Sequence, residues 1–293
     1  SSRTSKCIAV QPSWITIVLT LPNKSENTMI NSAVDVHTLA CLSDNYAYVI
    51  HNRATGTAAV VDIPVAGPIV AKIAELGVPV TEVFLTHHHW DHIGGLDELQ
   101  KALTSQLGQT PCRVIGAQAD AHRLPPLDEA VTPGQTISLC GIAAEIFDVS
   151  GHTLGHLALH MPDIKALFTA DSLMAMGCGR LFEGSPALMW QSLLKLRNLP
   201  GGTLVYSGHE YTASNMAFAL SLGEANSAVA SRAVQINEDR TADKATVPSL
   251  LALELKTNPF MRADDPALQT AVGLPGAEAS DVFAKIRALK DKF

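Results

Sequence analysis

Short apolar runs alternate with amphipathic stretches between residues 35 and 208. Runs rich in β-branched or aromatic residues and bounded by Ser, Asn, Gly or Pro predict strands, here Val36–Cys41, Tyr46–His51, Ala58–Asp62, Val83–Leu85, Ile146–Val149, Ala166–Thr169 and Leu204–Tyr206. Apolar residues at helical spacing predict helices over Ala66–Leu76, which stops at Gly77, over Leu96–Leu103 and over 186–199. This part of the chain is therefore expected to form a mixed α/β structure.

The strand pattern disappears after Tyr211. The segments that follow favour helix by composition and spacing, namely Ala213–Leu222, 225–238, Leu250–Leu255 and Glu278–Leu289. We therefore predict an α+β protein with a boundary near residue 209, in which residues 29–209 form a mixed α/β domain and residues 210–293 a smaller all-helical domain.

The first 28 residues differ from the rest. They contain Arg3, Lys6 and Lys24, no acidic residue before Glu26, and an apolar run over Trp14–Leu21. A targeting peptide shares some of these features, but a small-residue cleavage site is missing and there is a single Arg. We interpret residues 1–28 as an extension that is disordered or artefactual, with a mitochondrial transit peptide as the alternative.

Composition excludes several classes of protein. The chain has 293 residues, of which 47% are hydrophobic and 17% charged, so a folded core is expected. Its net charge of −7 without basic blocks argues against nucleic-acid binding, and its apolar runs are too short to span a membrane. Five scattered cysteines without a C-x-x-C pair fit a reducing compartment. We expect a cytoplasmic monomer that acts on a small molecule.

Residues 86–92, Thr-His-His-His-Trp-Asp-His, form the strongest chemical signal. They lie between a predicted strand and a predicted helix. In an extended segment residues i and i+2 point the same way, so His87 and His89 can bind one cation. Asp91 and His92 fall where the chain turns and can face a second cation. His88 has the wrong phase, and we expect it to hydrogen-bond elsewhere.

Three further residues follow predicted strands in the same way, namely His152, Asp171 and His209. Together with the motif they make seven candidate ligands, more than one tetrahedral ion accepts. We divide them into His87, His89 and His152 for one ion and Asp91, His92 and His209 for the other, with Asp171 between them. Nitrogen and oxygen donors suit zinc, iron or manganese, and two such ions predict metal-assisted hydrolysis by a shared hydroxide.

The metal motif, together with five additional segments, resembles the metallo-β-lactamase superfamily and, within it, the glyoxalase II or hydroxyacylglutathione hydrolase family. The additional segments are 44–46, 177–180, 208–211, 258–262 and 287–293, and the resemblance covers Met29 to Phe293. It implies an αββα sandwich followed by the helical domain, and two divalent metal ions, zinc before iron or manganese. It also implies hydrolysis of S-D-lactoylglutathione to glutathione and D-lactate, a step of methylglyoxal detoxification.

The resemblance also implies roles for individual residues. Asp91 and Asp171 hold the metal–water geometry. The glycine carboxylate of glutathione contacts Arg287 and Lys290, Arg180 and Tyr211 line the tripeptide site, and Phe182 is a further substrate-binding residue. Phe182 stands where the family often has an aromatic hydroxyl, so a hydrogen bond to the substrate is lost there. Cys178 is expected to be a packed residue and not a nucleophile.

Other interpretations remain open at the level of sequence. A persulfide dioxygenase with a mononuclear iron is the main alternative; a β-lactamase, a nuclease and a non-catalytic metal module are the others. For Asp62 the choice is between orienting a metal ligand and capping a helix, and for His156 between supporting a ligand and packing. We expect the remaining histidines to be structural, namely His37, His51, His122 and His160.

Overall fold

The computed structural model describes residues 33–293, so the extension predicted over residues 1–28 lies outside the described residues. Six strands form a first sheet in sequence order. Its strands are β1 Val34–Cys41, β2 Asn45–Asn52, β3 Thr57–Val61, β4 Val80–Phe84, β5 Arg113–Ala117 and β6 Glu129–Val131. β1, β2 and β3 pair antiparallel, whereas β3 to β6 run parallel.

Eight further strands follow in the chain. They are β7 Thr136–Leu139, β8 Ile142–Asp148, β9 Leu157–Met161, β10 Ala166–Ala170, β11 Leu173–Met174, β12 Gly177–Cys178, β13 Leu204–Ser207 and β14 Ser249–Leu250. Six of them form a second sheet in the order β14-β13-β10-β9-β8-β7, and β11 pairs with β12 in a small hairpin. This hairpin leads directly to Arg180.

Nine α-helices connect and cover the sheets in the described part of the chain. They are α1 Ala66–Leu76, α2 Trp90–Ile93, α3 Leu96–Ser105, α4 Pro186–Arg197, α5 Thr212–Ser221, α6 Ser227–Thr241, α7 Leu251–Thr257, α8 Pro266–Ala271 and α9 Ala279–Lys290. Gly77 ends α1 in a left-handed conformation with φ of 65°, as its position predicted. None of the helices within residues 33–293 has the length and apolarity that crossing a membrane requires.

The two sheets pack face to face and share one core. Alternate residues of β10 show the layering, because Phe168 points into the core between the sheets while Leu167 points to the opposite face. On that opposite face Leu167 packs with α4 and α9. α1 and α3 pack against the first sheet. The predicted αββα sandwich followed by helices is therefore confirmed.

The prediction that residues 210–293 are all helical is wrong at one point. Leu250, assigned to a helix from sequence, belongs to β14, which pairs antiparallel with β13 through Leu204 and Val205. A strand of two residues carries no detectable sequence pattern. It forms because it covers the edge of β13, whose backbone groups would otherwise lack partners.

Glu254 anchors the helical part to the sandwich. Its carboxylate is fully buried, forms an ion pair with Arg232, and accepts hydrogen bonds from the Met176 backbone and from Asn258 Nδ2 at 2.9 and 3.0 Å. Asn258 also donates to the carbonyls of Met174 and Gly177, both at 3.0 Å. These bonds fix the β11–β12 hairpin and with it the position of Arg180.

Candidate metal centre

The seven predicted ligands converge at one edge of the sandwich. All of them follow strands of the two sheets: His87, His89, Asp91 and His92 after β4, His152 after β8, Asp171 after β10 and His209 after β13. The strands themselves are built from buried apolar residues, so only the polar residues after their ends are free to face a common cleft. The structure thus brings together all seven side chains.

His87, His89 and His152 form one candidate ligand set, called here the first set. One nitrogen from each lies within 4.8 Å of the others. His89 Nδ1 and His152 Nε2 are 3.0 Å apart. His87 Nε2 is buried and has no hydrogen-bond partner, which is costly unless a cation accepts its lone pair.

Asp91, His92 and His209 form the second set, again within 4.8 Å of one another. His209 Nε2 lies 3.4 Å from both His92 Nε2 and Asp91 Oδ2. Asn45 donates to Asp91 Oδ2 at 3.0 Å and holds that carboxylate toward the cleft. The mixed nitrogen and oxygen donors suit a divalent transition metal.

Asp171 lies between the two sets. Its Oδ2 is 3.4 Å from His152 Nε2 and 3.3 Å from His209 Nε2, and its Oδ1 is 3.6 Å from His92 Nε2. Oδ1 is buried and has no hydrogen-bond partner. The residues therefore fit two cations that share Asp171.

Oxygen acceptors fix the ring orientation of three ligands. The Nδ1 atoms of His92, His209 and His152 lie 2.8, 2.8 and 2.7 Å from Asp62 Oδ2, Asp44 Oδ1 and the Arg180 carbonyl. Each acceptor binds the N–H on Nδ1 and so leaves the lone pair of Nε2 free to bind a cation in the cleft. From the sequence Asp62 could orient a ligand or cap a helix; in the structure it orients His92. The role of Asp44 was not predicted, because its contact with His209 joins distant segments of the chain.

The backbone at the site is held in unusual conformations. Asp62 and Ala170 have φ of 57° and 41°, in the left-handed region that non-glycine residues seldom adopt. Ala170 turns the chain directly before Asp171. A Cβ at Gly208 would collide with Asp171 Oδ1 and with His92 Cε1, so only glycine leaves room for the carboxylate between the two sets.

Burial and neighbouring charges set the protonation of the ligands. Burial lowers the pKa of all three imidazoles of the first set, that of His89 to about 4. They are therefore neutral near pH 7, the form that binds a cation. Burial alone would raise the pKa of Asp171, but the neighbouring His92 and His209 hold it well below its usual range. The carboxylate is consequently ionised.

A cleft of about 680 Å³ lies over the two sets. All five predicted substrate residues line it, namely Arg180, Phe182, Tyr211, Arg287 and Lys290. The exposed Phe182 ring lies 5.5 and 5.3 Å from the rings of His89 and His152, and Tyr211 stacks on His209 at 4.7 Å. Four further residues line the cleft: Met174, Ser214 and Asn215, which belong to no motif, and Phe293, which ends the segment 287–293 but had no predicted role.

Two neighbouring residues do not offer ligand atoms to the sets. Burial raises the pKa of the Cys178 thiol to about 11, so Cys178 is a packed residue as expected. His156 is buried, stacks on His87 at 4.5 Å, and accepts a hydrogen bond from the Asp171 backbone at 3.3 Å. It therefore both packs and supports a ligand.

A further group of possible ligands, Asp35, His37 and His51, lies on β1 and β2. The rings of His37 and His51 stack at 6.5 Å. Asp35 forms an ion pair with Arg53, and that guanidinium competes with any cation. This group lies outside the 680 Å³ cleft.

Comparison with known proteins places this geometry in a family. A family model described as the metallo-beta-lactamase superfamily matches residues 44–107 and 111–209, and one described as the hydroxyacylglutathione hydrolase C-terminus matches residues 210–293. The hydroxyacylglutathione hydrolase of Ruegeria pomeroyi is 55% identical over 260 residues, which cover 89% of this chain and 99% of that protein. The chain belongs to the hydroxyacylglutathione hydrolase family.

Other members of the hydroxyacylglutathione hydrolase family are similar over the same extent. The Jannaschia sp. protein is 52% identical over 87% of this chain and 97% of its own length. The Rhodospirillum rubrum protein is 45% identical over 89% of this chain and 100% of its own length. The resemblance predicted from the motifs is therefore confirmed.

Solved structures share the fold at lower identity. ETHE1 from Myxococcus xanthus has a TM-score of 0.58 and 23% identity, covering 87% of this chain and 90% of its own. The BLEG-1 B3 metallo-beta-lactamase has a TM-score of 0.56 and 20% identity, covering 78% and 100%. TTHA1623, solved in a di-iron-bound form, has a TM-score of 0.54 and 22% identity, covering the same shares.

Proposed function

We propose that this protein hydrolyses S-D-lactoylglutathione and related 2-hydroxyacylglutathiones to glutathione and the 2-hydroxy acid. The observation that carries the proposal is that one cleft joins two ligand sets for divalent cations to three basic side chains. The family membership supports the same substrate class. Methylglyoxal detoxification is the process that this reaction would serve.

The two ligand sets and Asp171 would hold two divalent cations, and we propose zinc, ahead of iron and manganese, for their nitrogen and oxygen donors. Such ions supply Lewis acidity and make water nucleophilic near neutral pH. Asp171 would keep the two cations at a fixed separation. Asp91, whose carboxylate accepts a hydrogen bond from Asn45, would face the water between them. The thiol of glutathione has a pKa of roughly 8.5. It can therefore leave as the thiolate, and the reaction needs no general acid.

Three basic side chains in the cleft, Arg180, Arg287 and Lys290, form the proposed site for the glutathione carboxylates. Burial lowers the pKa of Lys290, and the charges of Arg287 and Arg180 lower it further, so the positive charges lie close together. Arg287 is held by Asp291 and by the Cys178 carbonyl at 2.9 Å. Because the whole chain is acidic, this local cluster must provide the attraction for an anionic substrate.

Phe182 and Tyr211 are proposed to border the thioester of the bound substrate. The Phe182 ring contacts two ligands of the first set but offers no hydrogen bond. Burial and the Asp44 charge raise the pKa of Tyr211 to about 12, so its hydroxyl stays protonated and can donate. We therefore expect apolar packing on one side of the thioester and one hydroxyl donor on the other.

Replacing Lys290 with Gln is expected to raise KM for S-D-lactoylglutathione roughly tenfold with little change in kcat, because a carboxylate bound equally in ground and transition states affects binding alone. Steady-state kinetics checks this. Lys285→Gln is the matched control, since Lys285 lies on the same helix but lines a different groove. A kcat loss without a KM change in the Lys290 variant would argue against the carboxylate contact.

The persulfide dioxygenase alternative is distinguished by a paired assay. The same purified sample is given S-D-lactoylglutathione, with loss of the thioester measured, and glutathione persulfide, with oxygen uptake measured. We expect thioester loss alone. Oxygen uptake without thioester loss would support the dioxygenase.

The assembly and cellular location remain proposals. We propose a cytoplasmic monomer, with the mitochondrion as the location if residues 1–28 are a transit peptide. Light scattering on the purified protein measures the mass of the assembly. Intact-mass analysis of protein from its source organism shows whether residues 1–28 are retained.

A further inference from the structure

His88, the middle histidine of the motif, points away from both ligand sets. Its Nδ1 lies 3.1 Å from Asp120 Oδ2, and its Nε2 lies 3.5 Å from Glu183 Oε1. Asp120 is 2% exposed. A buried carboxylate that contacts the residue between two ligands is placed to control how those ligands are held.

Arg123 joins the two carboxylates. Its Nε and Nη2 donate to Asp120 Oδ1 at 2.9 and 2.6 Å, while Nη1 and Nη2 donate to the two oxygens of Glu183. A guanidinium bound in this forked way fixes orientation as well as distance. Hydrogen bonds from Arg123 lower the pKa of Glu183 to about 2, so the pairing persists throughout the neutral range.

Glu183 extends these contacts to the His152 loop. Its Oε2 accepts a hydrogen bond from the Leu154 backbone at 2.8 Å. On either side of Glu183, the Phe182 and Gly184 backbones donate to the carbonyls of His152 and Gly151 at 3.2 and 3.0 Å. The loop carrying His152 is therefore tied to the segment that Arg123 holds.

Asp120 also packs directly against that loop. A Cβ at Gly155 would collide with the Asp120 carboxylate, so glycine is required there for the carboxylate to reach His88. The contacts thus close a ring through two separate loops, one carrying His87 and His89 and the other carrying His152.

We infer that His88, Asp120, Arg123 and Glu183, called here the charged clamp, position the first ligand set and determine the affinity of the cation bound there. The second set is held by other residues, Asp44, Asn45 and Asp62. Within residues 33–293 no hydrogen bond or ion pair joins the charged clamp to Asp91, His92 or His209. Breaking the charged clamp should therefore weaken binding of the cation at the first set and leave binding at the second set unchanged. The inference depends on the proposed two-cation site.

Arg123→Met and Glu183→Gln test the inference in the full-length protein loaded with zinc. Bound zinc is measured per chain during competition with a chelator. We expect the native protein to bind two equivalents of zinc with similar affinity. The clamp variants should bind one equivalent about 10- to 100-fold more weakly, the usual effect of losing a residue that orients a ligand, with kcat reduced and KM for S-D-lactoylglutathione nearly unchanged.

Two further variants separate positioning from general destabilisation. Arg113→Met breaks exposed ion pairs with Glu82 and Glu129 and should leave both equivalents unchanged. Asp44→Asn, which replaces the charged acceptor of His209 with a neutral amide oxygen, should weaken the other equivalent. The double variant Arg123→Met, Asp44→Asn should then weaken both.

Three results would overturn the inference. In the first, the clamp variants retain both equivalents at native affinity. In the second, they lose both equally while the unfolding temperature of the metal-free protein falls. In the third, Asp44→Asn and Arg123→Met weaken the same single equivalent. A native protein that binds no zinc would instead contradict the proposed function itself, and the clamp inference would fall with it.

Discussion

Replacing Asp171 with Asn is expected to lower kcat/KM for S-D-lactoylglutathione on the order of 10³-fold and to reduce the metal content of the purified protein. Asp171 lies within 3.6 Å of three imidazoles from both ligand sets. Asn preserves the shape but removes the charge that both cations share. Loss of the Lewis acid removes several kcal/mol of transition-state stabilisation, and each 1.36 kcal/mol is tenfold in rate.

Metal analysis and steady-state kinetics on one sample test this expectation. Asp97→Asn is the matched control. Asp97 is exposed on α3, so this substitution makes the same chemical change away from the cleft. Circular dichroism verifies that the fold is retained. An Asp171→Asn protein that holds two metal equivalents and turns over at the native rate would exclude a shared carboxylate.

Replacing Glu254 with Gln is expected to lower the stability of the protein by about 3–5 kcal/mol, because Arg232 keeps a buried charge without its partner. Arg232 and Glu254 have side chains 5% and 0% exposed. For a chain of this length the loss corresponds to a fall in unfolding temperature on the order of 10 °C. Gln can still bond the Met176 backbone and Asn258, so the effect isolates the ion pair.

Arg197→Met provides the comparison for Glu254→Gln. Arg197 pairs with Asp264 at 2.8 Å, but both side chains are partly exposed, at 26% and 49%. Such a pair contributes about 0–1 kcal/mol, so the unfolding temperature should change little. Thermal unfolding followed by circular dichroism measures both variants. Equal shifts would show that burial of the Arg232–Glu254 pair has no special energetic role.

Sequence identifies the candidate metal ligands because their positions follow from strand geometry. His152, Asp171 and His209 each come directly after an apolar run, and strand ends meet at one edge of a sheet. The alternation of His87 and His89 after β4 adds two more. These are local patterns, so the single chain is sufficient to find them.

The features that sequence did not reveal depend on contacts between distant segments. β14 is only two residues long and exists because β13 has an edge to cover. Asp44 lies 165 positions from His209, and Asp120 lies 32 positions from His88. No spacing rule links such pairs. Sequence also does not separate the basic C-terminal residues by position. Arg287 and Lys290 line the 680 Å³ cleft, whereas Lys285 and Lys292 line another groove.

The predicted boundary at residue 209 stays a prediction. β14 places residues 249–250 in the second sheet, and Glu254 hydrogen-bonds the Met176 backbone. The helical part therefore contributes both to the sandwich and to the cleft. Whether either part folds alone would be measured by expressing residues 33–209 and 210–293 separately.

Adding zinc stepwise to metal-free protein, while counting bound zinc and following S-D-lactoylglutathione hydrolysis in the same sample, tests most directly whether paired cations at this strand edge cleave the thioester. We expect hydrolysis to rise with bound zinc and to reach its plateau at two equivalents per chain. Full turnover in protein without metal, or a fully loaded protein that leaves the thioester intact, would contradict the account.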